Sequence, residues 1–369
     1  MRVVVAMSGG VDSSVAAGLL ARAGHEAIGV TLQIWSNNKG NPTGSGCCSL
    51  GAVEDARRVA AKLGIPHYVL NFRDLFANTV VRDFTKQYLA GRTPNPCVRC
   101  NQWVKFDALM RRAVALGADA LATGHYARIQ RDEATGRWLL LRGADRSKDQ
   151  SYALYTLTQQ QLSRTIFPLG GLCKQETRRL ADEMGLPVAN KPDSQEICFV
   201  SHSYREYIEG AVPEARRPGP VLNRAGEEIG THRGIAFYTV GQRKGLGVAS
   251  RKPLYVTEVR PEENAIVVGD AEDLYASRLT AAEFNWILAA PDLQEGMAVT
   301  AKVRYNMPDA PAVARPMANG AVEVVFEQPQ RAITPGQAVV CYAGEYVVGG
   351  GTIESVTKAQ AAKPKEGTP

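Results

Sequence analysis

The sequence predicts an α/β domain on a parallel sheet, followed by two small β domains. Over residues 1–211, short apolar runs alternate with segments of helical periodicity, which is typical of a parallel sheet covered by helices. After residue 211, prolines become frequent and the segments are short, alternating and bounded by turn residues, which is typical of β domains. The predicted limits are 1–211 for the α/β domain, 212–277 and 278–357 for the β domains, and 358–369 for a polar, disordered tail.

Apolar periodicity places the individual elements. In the first domain it predicts strands over 2–7, 28–32, 67–70 and 120–123, and helices over 12–23, 53–63, 75–89 and 104–116. Gly24 and Gly64 follow two of these helices as stop signals. Residues 93–101, TPNPCVRCN, are predicted to form a loop. The later strands are predicted over 255–259, 265–268, 299–305, 322–326 and 338–342.

Composition limits the class of protein. The 369 residues are 45% hydrophobic and 22% charged, as in a soluble globular protein. No apolar run approaches the ~20 residues of a membrane span, and the opening MRVVVAM is too short for a signal peptide, so we expect a cytoplasmic protein without membrane contact. Seven cysteines over this length do not form a disulfide framework. The net charge of +6 permits RNA as a partner without requiring it.

A turn rich in glycine and serine joins the first predicted strand to the first predicted helix. Its glycines let the backbone approach a phosphate, its hydroxyls can donate hydrogen bonds, and the helix N-terminus adds N–H groups and a favourable dipole. A tight turn with Asp12 or Ser13 as the helix N-cap is the alternative interpretation. The complete set of glycines and hydroxyl residues indicates an anion-binding loop. The loop comprises Ser8, Gly9, Gly10, Val11, Asp12, Ser13 and Ser14.

The segment TPNPCVRCN sets two cysteines three positions apart. Such a pair can hold a metal, close a redox disulfide or present a nucleophile. Cys100 precedes a predicted helix and follows Arg99, and both features lower a thiol pKa. The flanking residues of Cys198 allow a small buried apolar role instead. Packing or structural roles are predicted for Cys47, Cys48, Cys173 and Cys341.

Several motifs together resemble a known family. The SGGVDS turn resembles the PP-loop of ATP pyrophosphatases, which cleave ATP between its α and β phosphates. TPNPCVRCN, ATGHYAR, KDQSYAL, DSQEICFV, HRGIAFYTVGQRKGLG and RYNMPDAP follow in the order found in tRNA-specific 2-thiouridylases. The resemblance covers nearly the whole chain. It implies a PP-loop domain, a C-terminal β-barrel, and ATP-dependent replacement of the C2 oxygen of the tRNA wobble uridine by persulfide sulfur.

The resemblance also implies site residues. Cys198 matches the cysteine that carries the persulfide, and Cys100 matches the nucleophile that acts against it, so that turnover produces a Cys100–Cys198 disulfide. Asp12 is the expected contact for Mg²⁺ or pyrophosphate. The implied ATP site comprises Ala6, Met7, Ser8, Gly9, Gly10, Val11, Asp12, Ser13, Leu32 and Gly124.

RNA contacts are implied at three further places. Asn95 and Pro96 match the segment that faces the target base, together with Cys97, where many relatives have Asp. Contacts to tRNA are implied for Lys148, Asp149, Gln150, Arg304 and Tyr305. His125 can be a ligand contact or a structural histidine. A glycine-bracketed loop adds weaker candidates for phosphate contact, Arg233, Arg243 and Lys244.

Other interpretations stay open at the level of sequence. Cys97, Cys100 and Cys198 could instead hold an iron–sulfur cluster or zinc, because a CxxC pair and a distant thiolate form a usual ligand set. An amide-forming PP-loop synthetase and a nonenzymatic tRNA-binding or sulfur-relay protein are the alternative functions. The expected cofactors are ATP and Mg²⁺, and the expected partners are tRNA with a wobble uridine and a persulfide donor protein.

Overall fold

The structure of the protein, a computed structural model, describes residues 1–34, 50–193, 197–200, 203–293 and 295–358. Three predictions fall outside these residues. They concern the structural role of Cys47 and Cys48, the Gln195 and Glu196 positions of DSQEICFV, and the tail beyond residue 358. Within the described residues, no helix is both long and apolar enough to cross a bilayer.

The first domain is built on a parallel sheet, as predicted. Its described strands are β1 Arg2–Ala6, β2 Glu26–Gln33, β3 His67–Asn71, β4 Ala120–Thr123, β5 Ala127–Arg131, β6 Trp138–Arg142 and β7 Thr165–Ile166. One parallel sheet has the order β3-β2-β1-β4-β7, while β5 and β6 form an antiparallel hairpin outside it. The strands predicted over 2–7, 28–32, 67–70 and 120–123 are therefore confirmed as β1 to β4.

Helices cover both faces of this sheet. Their described bounds are α1 Val11–Arg22, α2 Leu50–Leu63, α3 Arg73–Phe76, α4 Arg82–Leu89, α5 Pro96–Arg99, α6 Met110–Ala115, α7 Gln159–Leu162, α8 Lys174–Glu183 and α9 Tyr204–Ala211. Val3 and Val5 of β1 pack in a cluster with residues of α1, α2 and α8, whereas Val4 packs in the cluster that contains the helices of residues 73–115. The alternation along one strand thus supplies apolar contacts to both helical layers.

The cysteine segment is helical, so the prediction of a loop over 93–101 is wrong for most of its length. α5 continues through a π-helical stretch, Cys100–Leu109, into α6. The Asn95 side chain accepts hydrogen bonds from the N–H groups of Cys97 (3.2 Å) and Val98 (3.3 Å), and Pro96 occupies the first turn. Asn and Pro are also turn residues, and here they serve as N-cap and N1.

The middle of the chain forms a small mixed sheet. Its strands are β8 Gly219–Leu222, β9 Glu228–His232, β10 Tyr255–Arg260 and β11 Ala265–Gly269, in the order β10-β11-β8-β9. The strands predicted over 255–259 and 265–268 are confirmed as β10 and β11. Short 3₁₀ turns lie at Ser151–Leu154, Pro213–Ala215, Ile235–Phe237 and Ala271–Leu274.

The last strands close a barrel, as the resemblance implies. They are β12 Tyr275–Trp286, β13 Met297–Lys302, β14 Ala310–Pro316, β15 Val322–Arg331, β16 Ala338–Ala343 and β17 Tyr346–Lys358. In the described chain they pair in the order β12-β15-β14-β13-β16-β17, and β17 returns to β12. The predicted limit at residue 277 falls inside β12. β13 ends before 303–305, where the backbone leaves the sheet.

A hairpin of the first domain extends the barrel sheet, a contact that the sequence analysis missed. β6 pairs with β17 where Leu141 meets Tyr346. The Arg128 guanidinium lies 2.7 Å from a Glu345 carboxylate oxygen, and Arg142 lies 2.7 Å from an Asp309 oxygen. The first and last domains therefore meet through both backbone pairing and ion pairs.

The lowered pKa values of two histidines, His125 and His232, predict that the stability of the fold depends on pH. Burial lowers the pKa of His232, although its hydrogen bond to the Asn264 carbonyl acts in the opposite direction, and burial lowers the pKa of His125 far more. Nδ1 of His232 accepts the Gly234 N–H (3.0 Å) while Nε2 donates to Asn264 (2.8 Å), an arrangement that only the neutral ring permits.

Below the ordinary histidine pKa of 6.5, the unfolded chain binds more protons at these positions than the folded chain. The free energy of unfolding should therefore decrease as the pH falls from about 7 to about 5. Urea unfolding at several pH values measures this slope. His232→Gln should be less stable at neutral pH but should show a shallower slope, and an unchanged slope would contradict the assignment.

Candidate active site

The predicted anion-binding loop lies between β1 and α1, and its first glycine packs against the backbone of α2. Gly9 has φ +69°, and a Cβ at this position would lie 2.2 Å from the Ala52 carbonyl oxygen. Gly10 is the residue before α1 and has an extended backbone. Only glycine fits at residue 9, because both the backbone angle and the neighbouring carbonyl exclude a side chain.

Serine hydroxyls hold the shape of this loop. The Ser13 Oγ accepts the Ser8 N–H (3.1 Å) and lies 3.2 Å from the Ser8 hydroxyl. The Ser14 hydroxyl donates to the Gly10 carbonyl at 2.8 Å. Ser13 and Ser14 are buried whereas Ser8 is exposed. Ser8 is therefore the serine whose hydroxyl is open to an incoming ligand.

The other residues predicted for ATP lie at the carboxyl ends of neighbouring strands. Ala6 ends β1 and Met7 follows it, Leu32 lies near the end of β2, and Gly124 follows β4. A Cβ on Gly124 would lie 2.6 Å from both the Asp12 carbonyl carbon and the Ser13 nitrogen. Residue 124 thus contacts the backbone of the loop directly. Ligands of parallel α/β sheets bind at the carboxyl ends of the strands, where these residues lie.

Asp12 has two partners that the sequence analysis missed. The Lys174 ammonium lies 2.7 Å from Asp12 Oδ1, and the Tyr126 hydroxyl donates to the same oxygen at 2.9 Å. Burial is the main cause that raises the pKa of Tyr126, and its hydroxyl therefore stays protonated as a donor. Lys174 is the first residue of α8. No local sequence signal linked Lys174 to residue 12.

A second carboxylate, Asp193, joins this cluster. It lies 2.7 Å from Lys174, 3.0 Å from Lys148 and 3.3 Å from Arg178. Burial alone would raise the pKa of Asp193, but hydrogen bonds from Lys174 and Lys148 outweigh it and lower the pKa overall. Lys191 also approaches the loop, because its ammonium donates to the Gly9 carbonyl at 3.0 Å.

The segment before the cysteine helix is held by the barrel. The Thr93 N–H donates to the Pro335 carbonyl (2.9 Å), and the Gln337 side chain donates to the Thr93 carbonyl (2.8 Å). A Cβ on Gly336 would lie 2.8 Å from the Thr93 nitrogen. The predicted base-facing residues, Asn95 and Pro96, therefore have positions set by the C-terminal domain.

Cys97 is exposed and acts electrostatically on Tyr305, a residue of the C-terminal domain. The pKa of the Tyr305 phenol is raised. Burial is the main cause, and the charges of Asp149 and Cys97 follow in this order. The Tyr305 hydroxyl donates to the Asp149 carbonyl at 3.3 Å. The structure thus brings together one predicted base contact and two predicted tRNA contacts, which the sequence separates widely.

Arg99 pairs with two carboxylates that are distant from it in the sequence. Its guanidinium lies 3.0 Å from Glu283 and 3.7 Å from Asp83, and it also lies over the Trp103 ring. Two carboxylates share this positive charge, and the effect of Arg99 on the Cys100 thiol stays a prediction. Arg99 instead joins the cysteine helix to β12.

Cys100 and Cys198 are both half-buried and pack against the same apolar cluster. Phe199 follows Cys198 and packs into this cluster. Its ring centroid lies 5.1 Å from that of Phe84 and 5.6 Å from that of Phe76, both in edge-on geometry. Both of these rings belong to the helix of residues 73–89. This cluster is therefore shared by the segments that carry the two cysteines.

The cysteines do not fit a metal centre. Among the described residues, which include Cys97, Cys100 and Cys198, no three His, Cys, Asp or Glu side chains are grouped to hold a metal ion. Cys97 is exposed, whereas Cys100 and Cys198 are half-buried and pack with the apolar cluster. The structure therefore gives the iron–sulfur or zinc alternative no support.

The KDQ segment predicted to contact tRNA makes internal contacts. Lys148 pairs with Asp193, and the Asp149 carboxylate accepts the N–H groups of Gly143 (2.9 Å) and Ser151 (3.1 Å). Gln150 accepts the Tyr126 N–H at 3.1 Å. The segment thus links the surroundings of Asp12 to Tyr305, and its contacts with tRNA stay a prediction.

Arg304 is turned into the protein. Its guanidinium donates to the carbonyls of Val240 (3.1 Å) and Ala332 (3.0 Å), and burial is the main cause that lowers its pKa. Its Nε has no hydrogen-bond partner in the described part of the chain. Arg304 joins the central domain to the barrel, so it would need to rearrange before its guanidinium reached RNA.

His125 lies half-buried at the end of β4. Its Nδ1 is 2.5 Å from the Thr123 hydroxyl, and its ring lies 5.9 Å from Phe167 and 6.0 Å from Phe106. Burial first and Lys105 second lower its pKa well below the usual range, so the ring is neutral. Arg233, Arg243 and Lys244 are exposed in the central domain, as a phosphate contact would require.

Comparison with known proteins decides the family. The tRNA methyl transferase HUP domain family matches residues 1–202, its PRC-barrel domain family matches 205–270, and the aminomethyltransferase beta-barrel domain family matches 276–353. A tRNA-specific 2-thiouridylase MnmA of Heliobacterium modesticaldum is 58% identical over 95% of this chain and 92% of its own. The chain belongs to the tRNA-specific 2-thiouridylase family. The MnmA of Moorella thermoacetica is 56% identical over 96% of this chain and 100% of its own.

Membership confirms the predicted family, its enzyme class and the order of an α/β domain followed by two β domains. The similarity to these 2-thiouridylases extends through all of these domains. A 4-thiouridine synthetase in complex with RNA and ATP covers 58% of this chain at 20% identity, with a TM-score of 0.35. The predicted domain limits at 211 and 277 and the assigned site residues stay predictions.

Proposed function

We propose that this protein uses ATP to replace the C2 oxygen of the wobble uridine of tRNA with sulfur, in the cytoplasm. The observation that carries the proposal is a path of hydrogen bonds from Asp12 to Tyr305, whose pKa is raised first by burial and then by Asp149 and Cys97. The Tyr126 hydroxyl donates to Asp12, Gln150 accepts the Tyr126 N–H, and the Tyr305 hydroxyl donates to the Asp149 carbonyl. A nucleotide at the loop and a base at the cysteine helix would therefore be held in one rigid neighbourhood.

The residues around the anion-binding loop suit adenylation of a substrate oxygen. A uridine C2 oxygen is a poor leaving group, and its attack on the α phosphorus of ATP converts it into an AMP ester while pyrophosphate departs. The loop over residues 8–14 would hold the phosphates, with Leu32 and Gly124 near the nucleoside. Lys174 and the Tyr126 hydroxyl would fix the Asp12 carboxylate in front of the loop.

Asp12 fits the predicted magnesium role. Its carboxylate is 33% exposed at the mouth of the loop, and carboxylate oxygens are the protein ligands that Mg²⁺ takes together with substrate phosphates. When bound, Mg²⁺ would neutralise phosphate charge. The position of this carboxylate depends on this chain's own Lys174 and Tyr126.

The cysteines would supply the sulfur. A donor protein would load Cys198 as a persulfide. Attack of the Cys100 thiolate on the inner sulfur forms the Cys100–Cys198 disulfide and releases hydrosulfide, which displaces AMP from C2. In the other order, the terminal sulfur attacks C2 first and Cys100 then releases the thiouridine. Both routes leave the same disulfide, which needs a reductant before the next cycle.

RNA binding would position the uridine at the cysteine helix. Asn95 and Pro96 begin this helix, Cys97 lies in its first turn, and both Cys97 and Tyr305 are exposed. The target base must leave its stack to reach a sulfur, as in other enzymes that act on bases. Lys148, Asp149, Gln150 and Arg304 would support this surface mainly from within, through the contacts described above.

The direct test supplies the purified protein with ATP, Mg²⁺, a persulfide donor and a tRNA bearing a wobble uridine. We expect 2-thiouridine together with AMP and pyrophosphate, measured by nucleoside mass spectrometry and phosphate chromatography. The control is the same tRNA with cytidine at the wobble position. Equal pyrophosphate release with both tRNAs, or no 2-thiouridine with the first, would refute the proposal.

The exposed basic residues predict a salt-dependent affinity for tRNA. Displacing counterions from RNA makes log Kd rise linearly with log salt concentration, with a slope that depends on the number of phosphates contacted. Filter binding between 50 and 300 mM salt should therefore show a steep loss of affinity. Replacing Arg243 and Lys244 together by glutamine should reduce the slope by about one to two. A flat response in the wild-type protein would remove phosphate contacts from the proposal.

A further inference from the structure

Asp193 is surrounded by three cations beside the nucleotide loop. Lys174 and Arg178 approach its Oδ1 at 2.7 and 3.3 Å, and Lys148 approaches its Oδ2 at 3.0 Å. Lys174 is only 12% exposed and lies 2.7 Å from Asp12 as well. One carboxylate thus occupies a place built from two ammonium groups and a guanidinium.

This arrangement suits an anion of greater charge than a carboxylate. Two phosphates offer several oxygens to the same donors, and guanidinium and ammonium groups are the usual ligands of phosphate. The cluster continues from the loop, because Lys174 joins Asp193 to Asp12. If the loop holds one end of the ATP phosphate chain, the remaining phosphates extend towards Lys174.

We propose that Lys148, Lys174 and Arg178 form the binding place of the pyrophosphate part of ATP, and that Asp193 occupies it as an internal anion before the nucleotide binds. The proposal rests on the use of ATP in the proposed function. As the uridine oxygen attacks, the bond between the α phosphorus and the bridging oxygen breaks, and its electron pair stays on the departing pyrophosphate. The three cations stabilise this charge.

A competing explanation makes Asp193 a structural residue only. Arg178 also donates to the carbonyls of Ala189 (2.9 Å) and Lys191 (3.3 Å), so the ion pair could simply fix the chain before residue 193. The two explanations predict opposite effects on anion affinity. Removal of an internal anion strengthens binding of pyrophosphate, whereas removal of a structural contact weakens it or leaves it unchanged.

The test measures binding of pyrophosphate and of AMP by calorimetry, without Mg²⁺, tRNA or sulfur donor. Asp193→Asn keeps the shape and removes the charge, and it should tighten pyrophosphate binding by about tenfold while AMP binding stays the same. The matched control is Asp182→Asn, which makes the same change in net charge at an exposed position of α8. It should leave both affinities unchanged.

A second pair of variants tests the cations. Arg178→Gln should weaken pyrophosphate binding by about tenfold, whereas Arg179→Gln, whose side chain pairs with Glu183 on the exposed face, should not. Thermal unfolding checks that each variant is folded. Pyrophosphate binding by Asp193→Asn that is equal to or weaker than wild type would overturn the proposal. Because no RNA or sulfur is present, this result is independent of whether the protein thiolates tRNA.

Discussion

Replacing Cys198 or Cys100 with alanine is expected to reduce formation of 2-thiouridine by at least ~10³-fold, because each thiol takes part in a bond that forms or breaks. ATP binding should be unchanged, since both cysteines pack in the apolar cluster and not against the loop of residues 8–14. Single-turnover assays with a loaded persulfide donor measure the effect.

Labelled sulfur separates the two roles. Cys100→Ala should still accept one sulfur atom from the donor, whereas Cys198→Ala should accept none. The matched control is Cys341→Ala, because Cys341 is buried in the barrel and burial raises the pKa of its thiol to about 12, which makes it unreactive. Thiolation at the wild-type rate by either test variant would refute the persulfide mechanism.

Replacing Gly124 with alanine is expected to weaken ATP binding by roughly 10- to 100-fold. The added Cβ would lie 2.6 Å from backbone atoms of Asp12 and Ser13, and backbone cannot rotate away as a flexible side chain can. The loop must shift, and a shift of the phosphate donors costs hydrogen bonds to charged oxygens. Calorimetry with a non-hydrolysable ATP analogue measures the change.

Gly171→Ala is the control for this substitution. A Cβ on Gly171 meets nothing within 4 Å, so neither stability nor ATP affinity should change. Overpacking at residue 124 should lower the free energy of unfolding by ~1–3 kcal/mol. The binding assay therefore uses ATP analogue concentrations high enough to saturate the weaker site of the variant. An ATP affinity of Gly124→Ala equal to that of Gly171→Ala would exclude a role for residue 124 at the loop.

Local sequence signals were sufficient where the partners are close along the chain. The residues from Ser8 to Ser14 form a loop between β1 and α1 because the strand, the turn and the helix are consecutive. The same signals misled at Asn95 and Pro96, which suit a turn as well as a helix start. The helix begins there because the Asn95 side chain satisfies two free N–H groups of the first turn.

Contacts between distant segments could not be predicted in this way. Arg99 pairs with Glu283 of the barrel, and β6 pairs with β17. Neither contact leaves a trace in the periodicity of either segment. The partners of Arg99 also bear on the chemistry, since two carboxylates share the positive charge that precedes Cys100 in the sequence.

The sequence by itself determined the fold class, the anion-binding loop and the identity of the family, because these depend on consecutive residues and on the order of motifs. Only the tertiary structure decided which groups meet: Lys174 with Asp12, Lys148 with Asp193, and Tyr305 with the Asp149 carbonyl. The physical reason is that side-chain contacts are short-ranged, whereas the packing of the domains determines which distant residues come within that range.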